Sequence, residues 1–187
     1  MIRTFIALDL PVQLQCSLEA LQKELQRTDA PVSWVKPDRI HLTLKFLGDV
    51  PPDRIADIQA QLAEIAVHTQ PFRLQVAGCG AFPTLQQMRV VWVGLKGDIP
   101  SLRDVQQRVE EAMAALDFKR EDRLFKAHLT LGRVKGRQRL RVLQEALLAR
   151  QAFEAEDFDV TELVLYKSEL RPEGARYTPL FRAAFAR

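Results

Sequence analysis

His41-Leu-Thr-Leu and His128-Leu-Thr-Leu repeat a His-x-Thr pattern 87 positions apart, in a chain of 187 residues with only three histidines. In a β-strand, residues i and i+2 share a face. Each copy would therefore aim an imidazole and a hydroxyl one way and send two leucines into a core. An imidazole changes charge near pH ~6.5, so two of them over one substrate form an acid and a base. The hydroxyls beside them could donate to an oxyanion. That set of groups suits phosphodiester chemistry without a metal. One copy alone would be an ordinary β segment with a structural histidine; the second gives the pattern its weight because the surroundings repeat as well.

With the same offset of 87, Phe5-Ile-Ala-Leu falls on Trp92-Val-Gly-Leu, two apolar runs that read as buried strands. Breakers follow, Pro11 in the first copy and Gly97 with Pro100 in the second. Then Leu14, Leu18, Leu21 and Leu25, and in parallel Leu102, Val105, Val109, Met113 and Leu116, keep helical spacing. A second helix after each motif carries Ile55, Ile58, Leu62 and Ile65, or Leu140, Leu143 and Leu147. Phe72-Arg-Leu-Gln-Val and the run from Phe158 to Leu165 then begin comparable strands. The pattern predicts a degenerate duplication, strand-helix-strand-helix-strand in each half. Residues 1–187 are expected to form a single domain of class α+β. It would have two pseudo-symmetric lobes, each an antiparallel sheet with helices on its outer face, and a cleft between them where the motifs meet.

Composition narrows the setting. The chain is 47% hydrophobic with a net charge of +3, and no apolar run approaches the ~18 residues of a membrane span. The start lacks a small-residue cleavage site, which predicts no signal peptide. Cys16 and Cys79 lack CxxC spacing and are expected to be free thiols in a reducing cytoplasm. Zinc-ligand spacing is missing around either motif. Arg120, Arg123, Lys126, Arg133, Lys135, Arg137, Arg139 and Arg141 crowd the second motif, a collar suited to a phosphate-bearing ligand. His68, before Thr69-Gln-Pro71, reads as a helix-terminal or surface residue.

His41-Leu-Thr-Leu-Lys-Phe-Leu-Gly, His128-Leu-Thr-Leu-Gly-Arg-Val, Leu165-Tyr-Lys-Ser-Glu-Leu and Tyr177-Thr-Pro-Leu together resemble the two-histidine phosphoesterase superfamily. Within it the chain is similar to the bacterial RNA 2',3'-cyclic phosphodiesterases, also called 2'-5' RNA ligases, almost end to end. The resemblance implies hydrolysis of a 2',3'-cyclic phosphate at an RNA end to a 2'-phosphate, with no metal and no cofactor. It places the proton donor on His41 and the proton acceptor on His128. The phosphate-binding threonines fall on Thr43 and Thr130, and the pair that sandwiches the terminal base on Phe46 and Arg133. Ala127 stands where many relatives carry proline. The expected partner is RNA with a 2',3'-cyclic phosphate terminus, met by a cytoplasmic monomer without a membrane.

Alternation leaves a geometric difficulty. Phe46 lies five residues after His41, so a regular strand turns it to the opposite face. A stacking role needs the strand to end, twist or bulge near Lys45, with Gly48 and Gly132 supplying freedom nearby; otherwise Phe46 is a core residue. Alternative functions are a phosphodiesterase for 2'-5' linked oligonucleotides or another cyclic phosphoester, a non-catalytic RNA-end binding module, and metal-dependent hydrolysis through the two histidines. Ligation by reversal of the same chemistry is expected as a side activity.

Overall fold

The computed structural model describes residues 1–172 and 174–186. In chain order the elements are β1 (Ile2–Leu8), α1 (Val12–Gln26), β2 (Val32–Trp34), β3 (Leu42–Val50), α2 (Ile55–Val67), β4 (Phe72–Pro83), β5 (Met88–Gly97), α3 (Ile99–Ala115), β6 (His128–Val134), α4 (Leu140–Ala149), β7 (Glu154–Val160), β8 (Glu162–Glu169) and β9 (Arg176–Ala184). The helices form where leucine and valine recur at three- and four-residue spacing. Leu14, Leu18, Leu21 and Leu25 are buried along α1, and Leu102, Val105, Val109 and Met113 along α3. Each such side chain contributes about 1.5–3 kcal/mol of apolar burial. Asp98 caps α3 by accepting a 3.1 Å bond from the Ser101 amide. Leu116 lies just past the helix and is half-buried.

Two antiparallel sheets result, a first in the order β3-β1-β8-β9 and a second in the order β2-β6-β5-β4-β7. Helices α2 and α3 pack behind the first sheet, and α1 and α4 behind the second. The expected α+β architecture of two helix-backed lobes is present. The lobes, however, are not the two halves of the sequence. The third strand of the first copy, β4, pairs with β5 in the second sheet, while its counterpart β8 pairs with β1 in the first. The first helix of each copy crosses in the same way.

The run from Phe158 to Leu165 is accordingly not one strand. It divides at Thr161, where the chain leaves the second sheet and enters the first. The burial pattern changes at that point. Phe158 and Val160 alternate with exposed Asp157 and Asp159, as on a one-sided edge strand, whereas Leu163, Val164 and Leu165 are buried in succession.

Candidate active site

His41 directly precedes β3, and His128 is the first residue of β6. A carbonyl oxygen two residues upstream holds each ring. The Nδ1–H of His41 donates to the Arg39 carbonyl at 2.9 Å, and that of His128 to the Lys126 carbonyl at 2.6 Å. Because a carbonyl only accepts, both neutral rings carry their proton on Nδ1 and leave the Nε2 lone pair free. The two strands that bear the motifs are also where the sheets touch, with Cα atoms of β3 and β6 within 8 Å of one another.

Local irregularity in each strand brings the rest of the motif to the same face. Ala7 pairs with Thr43 but Ile6 with Lys45, so Leu44 is an extra residue in β3. Trp92 pairs with Thr130 but Val91 with Gly132, so Leu131 is an extra residue in β6. These equivalent β-bulges bury two consecutive residues, Leu44 with Lys45 and Leu131 with Gly132. After each one the alternation resumes with its phase reversed. Phe46 thus comes out opposite Phe5, 66% exposed, its ring 5.8 Å from that of Phe5. It is not a core residue. Arg133 emerges exposed at the matching place. Thr43 and Thr130 are half-buried, two residues on from their histidines.

The expected backbone freedom is used at one of the two glycines. Gly48 has φ +73°, the left-handed region. Gly132 is required by crowding, since a Cβ there would lie 2.5 Å from Val32 Cγ1 on β2.

Aromatic rings surround His41. Phe5 stacks on it with centroids 4.7 Å apart, and Tyr177 presents an edge at 5.1 Å. Tyr166 stacks on Phe5 at 5.2 Å, lies 6.2 Å from the His41 ring, and donates its hydroxyl to Asp9 Oδ1 at 2.5 Å. Arg182 holds the other Asp9 oxygen at 2.9 Å. Burial among these rings lowers the pKa of His41 from 6.5 to about 4, against the opposing pull of the Arg39 bond and the Asp9 charge. His41 is therefore neutral at pH 7 in the free protein. Burial, together with the bond to Asp9, also raises the Tyr166 phenol well above its ordinary value. Around His128 the walls are Phe82, edge-on at 4.9 Å, with Trp92 beside it and the Lys126 ammonium over its face at 5.6 Å.

One network behind the motif leaves no signal in the sequence. Lys45, turned inward by the bulge, meets Glu110 of α3 at 2.7 Å, with the two side chains 4% and 14% exposed. The same ammonium donates to the Lys119 carbonyl, and Glu110 also accepts from the Glu121 amide. Strict alternation from His41 would turn Lys45 to the face of the histidine. Only the bulge, invisible in the residue types, reveals the opposite.

Other polar and aromatic side chains have partners of their own. His68 caps the end of α2, its Nδ1 donating to the Glu64 carbonyl at 3.0 Å. Trp34 is half-buried on the edge strand β2 and packs against the core. Cys16 and Cys79 are both free; Cys79 is buried, which pushes its thiol up to about 11. In the basic collar, Arg139 pairs with Asp29 and Arg141 with Glu145. Among the described residues no cluster of three His, Cys, Asp or Glu side chains is arranged to hold a metal ion.

Two imidazoles with matched tautomers, each two residues before a threonine and each on a strand where the sheets meet, form the arrangement that a two-histidine phosphoesterase would use. The family described as LigT like Phosphoesterase matches the chain twice in succession, over residues 8–92 and 93–177, and the chain belongs to that family. An RNA 2',3'-cyclic phosphodiesterase of Archaeoglobus fulgidus is 35% identical over 181 residues, covering 95% of this chain and 97% of its own length. Another, from Methanothermobacter thermautotrophicus, is 34% identical over 179 residues, 96% of each chain. Among solved structures, a protein of Thermus thermophilus superposes with a TM-score of 0.80 at 27% identity, over 98% of both chains. E. coli LigT in complex with 3'-AMP gives 0.80 at 25% identity, over 100% of this chain and 99% of that one.

Proposed function

We propose that the chain hydrolyses the 2',3'-cyclic phosphate at the end of an RNA to a 2'-phosphate, using its two histidines and neither metal nor cofactor. The observation that carries this reading is the matched anchoring of His41 and His128, which leaves two Nε2 atoms free to exchange protons with a substrate. The names of the curated relatives support the choice of substrate. In this scheme His128 takes a proton from water as its oxygen attacks phosphorus. The bond to the 3'-oxygen breaks, and His41 supplies the proton that this oxygen needs to leave. Positioned acid–base help of this kind contributes ~10² to 10⁴-fold per group. Thr43 and Thr130 hold the non-bridging oxygens, while Phe46 and Arg133 flank the terminal base. With a 5'-hydroxyl in place of water as the attacking group, the same steps form a 2'-5' link; bulk water keeps that a minor path. The free thiols fit a reducing cytoplasm, and the protein acts as a monomer.

A specific observation favours a second assignment of the same pair. His41 is neutral when the site is empty, because its surroundings disfavour the imidazolium. As drawn, it becomes an acid only after the anionic phosphate has arrived to raise its proton affinity. With the roles exchanged, His41 would be the base and His128 the acid.

Product analysis on RNA ending in a 2',3'-cyclic phosphate, with EDTA present, tests the function. A 2'-phosphate product is expected. A 3'-phosphate would reverse the leaving group, loss of turnover with EDTA would restore a metal, and binding without turnover would leave an RNA-end binding module. Cleavage confined to 2'-5' linked oligonucleotides would change the substrate. A substrate with sulfur in place of the 3'-oxygen separates the two assignments, since a thiolate leaves without a proton. Replacing the acid histidine by alanine should then cost far less than on the oxygen substrate, whereas replacing the base should cost the same on both.

A further inference from the structure

The loop between α3 and β6, residues 117–127, is fastened to both motifs. Its first part is tied to β3, because Lys45, the neighbour of Phe46, donates to the Lys119 carbonyl and Glu110 accepts from the Glu121 amide. Its last part ends on the second motif, where the Lys126 carbonyl holds the His128 ring. The loop therefore forms a rim running from the Phe46 side of the cleft to the His128 side. Along it Arg120, Arg123 and Lys126 are exposed, and among the described residues none of them pairs with a carboxylate. The carboxylate of Asp122 is already engaged by Lys119 at 3.0 Å. Leu124, between these cations, is 91% exposed. Exposed, unpaired cations three residues apart with an apolar side chain among them are what a strand of phosphates and bases requires.

We infer that this rim is a docking track for single-stranded RNA, taking the phosphates of the nucleotides just upstream of the cyclic end and offering Leu124 to one base. The inference rests on the proposed phosphodiesterase reading, and it adds which part of the surface holds the nucleotides upstream of the cyclic end. Three contacts to single-stranded phosphates give a log–log salt slope near −2, so binding should weaken about twentyfold between 50 and 200 mM salt. With two of the contacts removed, the loss should shrink to about threefold.

The test compares a hexaribonucleotide ending in a 2',3'-cyclic phosphate with a nucleoside 2',3'-cyclic phosphate, in the wild type and in the double variant Arg120→Ser/Arg123→Ser. The wild type should prefer the hexamer in kcat/KM by at least tenfold, with steep salt dependence. In the double variant that preference should collapse towards unity and the salt dependence flatten. An equal loss on both substrates would mean that the loop acts only on the cleft. An unaltered hexamer rate would make the cations a solvated surface. Either result overturns the track. Anisotropy of a labelled hexamer gives an independent readout. If the wild type turns over neither substrate, the catalytic reading fails, and the difference in hexamer affinity between wild type and variant still decides the track.

Discussion

The imidazole of His41 joins folding to chemistry. In the unfolded chain it takes up a proton near pH 6.5, but among Phe5, Tyr166 and Tyr177 it does so only near pH 4. Between those values the unfolded state binds more protons, so the native state loses stability as pH falls through that window. Above pH 6.5 the loss is absent. Urea denaturation of the wild type and of His41→Asn at pH 7 and pH 5 should therefore show a larger drop in the wild type, because the variant keeps only the titrations common to both. A drop of equal size would mean that the ring is solvated enough to titrate normally. The same burial that costs stability in acid keeps Nε2 unprotonated at neutral pH in the empty site.

The bulges decide what each motif presents. By adding Leu44 to β3 and Leu131 to β6, they convert an offset of five from one face to the other, placing Phe46 and Arg133 outward and Lys45 inward. Lys45→Met would leave the Glu110 carboxylate buried without its cation, and Glu110 Oε2 already lacks a partner among the described residues. Removing one member of a buried pair costs ~3–5 kcal/mol, whereas replacing both by apolar residues costs far less. Chemical denaturation of Lys45→Met, and of Lys45→Met with Glu110→Leu, should show that loss and most of its recovery. Much at this scale could be read in the chain itself. The apolar stripes of α1 to α4 follow a helical period that burial enforces, and the His-x-Thr spacing needs only two residues of strand. Phe46 could be named as a stacking candidate, with a bulge as the condition. Where the extra residue falls depends on pairing with β1, a contact between segments far apart in the chain, and single-strand alternation carries no record of it. The Lys45–Glu110 pair, 65 positions apart, is hidden for the same reason.

At the scale of the whole molecule, exchange of the third strands makes each sheet a product of both copies. Residues 1–86 alone contain β1, β3 and β4 but neither β8 to flank β1 nor β5 to pair with β4. Two halves so entangled should unfold in one step. Calorimetry and circular dichroism are expected to give a single coincident transition, and the isolated fragment 1–86 a spectrum without native structure. Two resolved transitions would mean that each lobe is stable alone. The division of the Phe158–Leu165 run belongs here too. A change from alternating to continuous burial is visible in its residue types, but assigning its parts to different sheets requires knowing what each strand lies beside.

A solitary copy of this pattern would own one imidazole and an unfinished sheet, and could act only by meeting its like. The short turn from Thr84 to Gln87, between β4 and β5, makes that encounter permanent, so dilution never separates the pair. It also releases the two from sameness. One copy carries an exposed benzene ring five residues after its histidine and the other a guanidinium, an asymmetry that no pair of identical partners could provide.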